Sequence, residues 1–164
     1  MSGAQVQPPV YRVLHAAIAV GVIRLGASVL GLLAALVAGA EPRAAGLALA
    51  FGLGASIVAL VSNSRWSFYD HPAVEELPAG EPRRDVLLEG IRRALLPSSV
   101  GVAVFLLASL PFEPILSAAL AGILGGLGAV GLASLATVVL WERQRDRLLY
   151  ADVSRSPRRY SAPR

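Results

Sequence analysis

Apolar residues run almost unbroken through residues 13–40, interrupted by His15 and Arg24 and stopped by Glu41-Pro42-Arg43. A second apolar run follows over residues 44–62. About 20 such residues carry an α-helix across the hydrocarbon core of a bilayer, so each run predicts a transmembrane helix. The stop between them predicts a tight turn, with Pro42 suited to the first turn of the second helix. Residues 63–90 are polar. Residues 84–96 then set Val86, Leu87, Leu88, Ile91 and Leu95 against Asp85, Glu89, Arg92 and Arg93, a partly amphipathic pattern that predicts a surface-lying helix ahead of Pro97. A third apolar run begins at Ala94 or Ser98 and ends at Leu110, where Pro111-Phe112-Glu113-Pro114 turns the chain into a fourth run over residues 115–141. Residues 1–9 are polar and proline-containing, which predicts disorder. Residues 142–164 form an arginine-rich polar tail.

The pattern predicts an all-α membrane protein of four transmembrane helices, arranged as two tandem helical hairpins within residues 10–141. Composition supports the class: 55% of the 164 residues are hydrophobic and 16% are charged, against about 25% charged in soluble domains. Arginine placement sets the orientation. Arg12, the five arginines at 65, 83, 84, 92 and 93, and the seven in the tail fall on one side, whereas the short turns hold only Arg43. By the positive-inside rule that side is cytoplasmic, which predicts both termini inside a plasma membrane. The net charge of +4 reads as topology and attraction to anionic membrane lipids, with no nucleic-acid partner. The absence of cysteine excludes disulfides, thiolate metal sites and cysteine nucleophiles.

The two hairpins resemble a tandem repeat. Glu41-Pro42 superposes on Glu113-Pro114 at a shift of 72 residues, which also aligns Gly54 with Gly126, Val58 with Val130, Leu60 with Leu132 and Ser62 with Ser134. Small residues recur at every fourth position: Ala27, Gly31, Ala35 and Gly39, then Ala44, Ala48, Gly52 and Ser56, then Ala121, Gly125, Ala129, Ala133 and Thr137. Such stripes let helix backbones approach closely where lipid supplies no hydrophobic drive. They fit packing inside the bundle or the seam of a homo-oligomer.

Arg24 is the sharpest candidate for function. A charge well inside a span costs about 2.5–3.5 kcal/mol on insertion scales, and no Asp or Glu lies in any predicted span to neutralise it. An arginine without a counter-ion suits phosphate, which its planar fork grips through two parallel bonds. The alternative is a helix tilted so that Arg24 reaches the inner headgroups. His15, nine residues earlier, is expected on nearly the same side of the helix. No cluster of His and carboxylates, phosphate-cradling loop or triad is present, so the reading is of a chain without enzymatic activity, cofactor or metal. A small multidrug-type exporter, which relies on a membrane-embedded carboxylate, is a further alternative weakened by the missing acid.

At the end of the second run the chain reads Val61-Ser62-Asn63-Ser64-Arg65-Trp66-Ser67-Phe68. This resembles the signature that closes the second helix in the GtrA-like family, and Val20-Gly21 in the first helix, the length and the four apolar runs agree with it. The place after the fourth run, Leu140-Trp141-Glu142-Arg143, keeps only the aromatic and a base. The resemblance implies a role in cell-surface polysaccharide synthesis, moving a polyprenyl-phosphate-linked sugar across the membrane. It also admits a scaffold that recruits a glycosyltransferase. With it, Asn63 and Arg65 join Arg24 as holders of the phosphate and Trp66 stacks on sugar or prenyl, although Arg24 falls where family members often carry a small or polar residue. His15 is the last candidate of the substrate-binding set, the alternative being an interfacial residue.

Overall fold

The structure is a computed structural model, and it describes residues 9–62, 74–77, 86–96, 98–153 and 159–163. In chain order these form strand β1 (Val10–Arg12), helices α1 (Val13–Val37) and α2 (Pro42–Ser62), strand β2 (Glu75–Glu76), helices α3 (Leu87–Leu95), α4 (Ser98–Ser109) and α5 (Pro114–Arg145), and strands β3 (Arg147–Asp152) and β4 (Arg159–Pro163). The chain is mostly helical. Three helices are long and apolar enough to cross a membrane: α1, α2 over Pro42–Ala59, and α5.

The turn between α1 and α2 is as tight as its sequence predicts. Gly39, at φ +101°, takes the left-handed position after the helix end, the Gly39 N–H donates to the Leu36 carbonyl and the Ala40 N–H to Ala35. That pair of bonds satisfies carbonyls that the helix end leaves open, and glycine reaches the required φ without a Cβ penalty.

The third apolar run is broken. Its helix α4 has 12 residues that rise only about 18 Å, and α3 and α4 are long and apolar enough to cross a membrane only when taken together as one bent pair. The rise of α4 alone is short of the about 30 Å hydrocarbon thickness. α3 precedes α4 at an angle of 54°. The cause is local: Leu96 is extended (φ −92°, ψ 140°), the conformation that a following proline imposes, so α3 ends there. α3 is the predicted amphipathic helix, with Glu89 and Arg93 paired at 3.1 Å, and it packs on α1 and β1. There the Tyr11 ring lies against Gly90, and burial pushes the Tyr11 phenol above its ordinary value.

α5 is the hub of the bundle. α1 and α2 each pack chiefly on α5 and barely on one another, so the first two helices enclose the last between them and do not close as a hairpin of their own. Small residues do this work, Gly52 and Gly125 from the predicted stripes and Gly122 and Gly128 from outside them. Gly52 of α2 meets the Ala119 carbonyl of α5, and Gly122 meets the Leu49 carbonyl in return. On the other face of α5, Gly125 lies on Ser28 and Gly128 on the Gly21 carbonyl of α1. Backbones this close leave no room for large side chains, which is how helices gain packing energy in lipid. Gly54 and Gly126, equivalent under the 72-residue shift, differ in setting: Gly126 is buried against Ser56, whereas nothing lies within 4 Å of the position a Cβ would take at Gly54.

The tail is not a loose polar segment. Residues 147–152 and 159–163 form β3 and β4, in a four-stranded sheet of order β1-β3-β4-β2. β1 pairs antiparallel with β3, β3 antiparallel with β4, and β2 parallel with β4. Val10, Leu77, Tyr160 and Ala162 make its small core. Because β1 runs directly into α1 and β3 follows α5 after a single left-handed residue, Asp146, the start of α1 and the end of α5 lie at the same end of the bundle.

Glu142 ties that sheet to the helices. Its carboxylate, 3% exposed, accepts the Leu149 backbone N–H at 3.0 Å and Arg12 at 3.5 Å. Truncation by Glu142→Ala orphans a buried N–H and leaves Arg12 unpaired, an expected loss of about 1–3 kcal/mol. The loss is expected in the sheet alone: hydrogen exchange of β3 accelerates while the α1 and α5 amides stay protected. Equal acceleration in sheet and helices would show that Glu142 stabilises the whole chain instead.

Candidate functional site

Arg24 lies on α1 where α1 meets the α3–α4 bend. Its Nε donates to Ser99 Oγ of α4 at 2.7 Å, and its NH2 nitrogen donates to the Ala94 carbonyl of α3 at 3.0 Å. One guanidinium thus bridges both sides of the break. In a continuous helix the Ala94 oxygen would accept the N–H of residue 98, but α3 ends at Leu95, and Arg24 reaches that carbonyl at an exposed position. Ser99 is buried and Arg24 half-buried.

Two of the five guanidinium donors are engaged in this way, and among the described residues no carboxylate pairs with Arg24. Next to it lies a cavity of about 140 Å³, lined by Ile23 and Ala27 of α1, Leu95 of α3, Val100 and Ala103 of α4 and Leu124 of α5, besides Arg24 and Ser99. The recess itself is wholly apolar, so Arg24 gives it side-chain carbons while the unused donors lie outside it.

The structure revises the place of His15. Nine residues at about 100° each make two and a half turns, so His15 and Arg24 lie on opposite sides of α1, not on one. His15 is exposed while Ala16 and Val20 beside it are buried. Asn63, Arg65 and Trp66 lie outside the described residues. Ser99 and the Ala94 carbonyl escaped sequence reasoning, although Pro97 carried a usable signal: a proline between two helical segments frees carbonyls that some polar side chain must meet. At the sheet end, Arg145 stacks over the Trp141 ring at 5.1 Å. Comparison with protein-family models, curated proteins and solved structures returns no match for the chain.

Proposed function

We propose that this chain is a membrane protein of cell-surface polysaccharide synthesis that carries a polyprenyl-phosphate-linked sugar across the plasma membrane. In this reading the α3–α4 pair makes a fourth, bent crossing, and both termini are cytoplasmic. The observation that supports it is the Arg24 guanidinium, which has no acid partner among the described residues and adjoins an apolar cavity. The resemblance of Asn63-Ser64-Arg65-Trp66 to the GtrA-like signature supplies the substrate class. Arg24, Asn63 and Arg65 grip the phosphate, Trp66 stacks on the sugar or prenyl, and the chain performs no covalent chemistry.

A second reading, a scaffold that recruits a glycosyltransferase, draws on the folded sheet, which gathers residues from the N-terminal segment, the central loop and the tail at one end of the bundle. One experiment separates the two. The purified protein is reconstituted into liposomes with a fluorescent polyprenyl-phosphate sugar, and the fraction reaching the opposite leaflet is followed with time. Carrier function predicts movement above protein-free liposomes and a loss of about tenfold or more in Arg24→Ala and Arg65→Ala. A purified protein that leaves the lipid in place, yet retains a glycosyltransferase during purification until residues 147–164 are deleted, would replace the carrier with the scaffold.

A further inference from the structure

We infer that α3 is a boundary helix that seats an anionic phospholipid of the leaflet at the sheet end, its phosphate on Arg92 and its acyl chains against Leu88 and Leu96. This rests on the reading of α3 and α4 as one bent crossing, and it involves neither Arg24 nor the carrier activity.

Residues four apart share a helix face, so Leu88 and Arg92 lie on one stripe of α3, and Leu96, just past its end, is four further on. α3 packs on α1 and β1 and leaves this stripe outward: Leu88 is 80% exposed, Leu96 44%, and Arg92 between them is exposed. A lone exposed leucine carries no meaning. A cation bracketed by two leucines needs two media close together, acyl chains for the leucines and phosphate for the guanidinium, and these meet at the headgroup boundary. The fold sets α3 at that depth. Gly90 lies on the ring of Tyr11, two residues before α1 begins, and beyond the bend the exposed Val100, Val104 and Leu107 of α4 carry no charge. With α4 along the membrane normal, the 54° bend lays α3 obliquely, so the stripe of about 12 Å descends only about 7 Å. Interfacial helices sink by about 5–10 Å. Charge then selects the lipid. Arg93 is paired with Glu89 at 3.1 Å, whereas among the described residues no carboxylate pairs with Arg92. Arg143 and Arg145, exposed at the end of α5, add the same sign at the same end of the bundle. A zwitterionic headgroup offers no net charge to balance these, and an anionic one does.

The test uses the full-length protein in phosphatidylcholine vesicles doped with a photoactivatable phosphatidylglycerol or with the matching phosphatidylcholine probe. The phosphatidylglycerol is expected to label residues 87–96 about fivefold more than the phosphatidylcholine does. Arg92→Gln should abolish that difference, and Arg24→Ala should keep it. Depth is read on the same vesicles with N-ethylmaleimide, which needs a thiolate in water. The chain has no cysteine, so each single-cysteine variant reports one position. Leu88→Cys is expected to react more slowly than Glu75→Cys on the exposed β2, and Val104→Cys of α4 not at all. Equal labelling by the two probes, or an Arg92→Gln variant that keeps the preference, overturns the lipid seat. So does a Leu88→Cys variant as reactive as Glu75→Cys, which would set α3 in water, or one that forms disulfides between protein molecules, which would give the stripe to a second copy of the chain. A Val104→Cys variant as reactive as Glu75→Cys would remove the crossing itself and the seat with it. An unreactive Val104→Cys with equal labelling would remove the seat alone. The wild-type comparison of the two probes stands without any variant.

Discussion

Gly52→Ala and Gly122→Ala are each expected to lower stability by about 1–3 kcal/mol, whereas Gly46→Ala, on the same helix as Gly52, is expected to be neutral or slightly stabilising. The change is one methyl group in every case, and helix propensity alone favours it by up to about 1 kcal/mol. Contacts decide the sign. At Gly52 the new Cβ would fall on the Ala119 carbonyl, and at Gly122 on the Leu49 carbonyl. Both obstacles are backbone, so neither can turn aside as a flexible side chain would, and α2 must move away from α5. At Gly46 nothing lies within 4 Å of the added atom. Thermal unfolding in detergent gives the three values. If Gly52→Ala matched Gly46→Ala, the α2–α5 crossing would be looser than its backbone approach indicates.

The apolar runs made the long helices legible, because burial in lipid demands length and hydropathy and both can be read off directly. The stripe of Ala121, Gly125 and Ala129 likewise announced close packing on α5. The order of neighbours was hidden. A small residue states that something approaches, but not which helix, so nothing in residues 13–62 shows that α1 and α2 contact α5 in preference to each other. The sheet was hidden for another reason. Its strands have two to six residues each, and β1 must find β3 more than 130 residues away, which no local periodicity can register. Glu142 stands at the head of the polar tail, and its burial follows only from the partner that β3 brings to it.

At the site the balance was similar. Arg24 stood out because a charge inside an apolar run is costly, and that cost holds whatever surrounds it. Its partners come from two other helices and were invisible. The sequence marks a surface helix ahead of Pro97 and a span from Ala94 or Ser98, but not that α4 by itself is too short to cross. Arg24 is thus both the most legible residue of the site and the one whose structural duty was least foreseeable.

That double duty can be taken apart by substitution. Arg24→Leu removes both bonds across the α3–α4 bend, the part-buried one to Ser99 and the exposed one to Ala94, at an expected cost of about 1–2 kcal/mol. Arg24→Lys keeps the charge but offers a single point of attachment in place of a planar fork. It should meet either Ala94 or Ser99 and recover about half of that loss. Ser99→Ala deletes one acceptor and is expected to cost about 0.5–1.5 kcal/mol, with the other bond intact. Unfolding in detergent ranks the three, and the transport assay then separates clamp from grip. A pure clamp predicts that transport follows stability across the series. A phosphate grip predicts otherwise: Ser99→Ala, although destabilised, releases the Nε–H for an anion and keeps transport, while Arg24→Leu loses it. Should Arg24→Leu unfold no earlier than wild type and still move lipid, the guanidinium would hold neither the bend nor the phosphate.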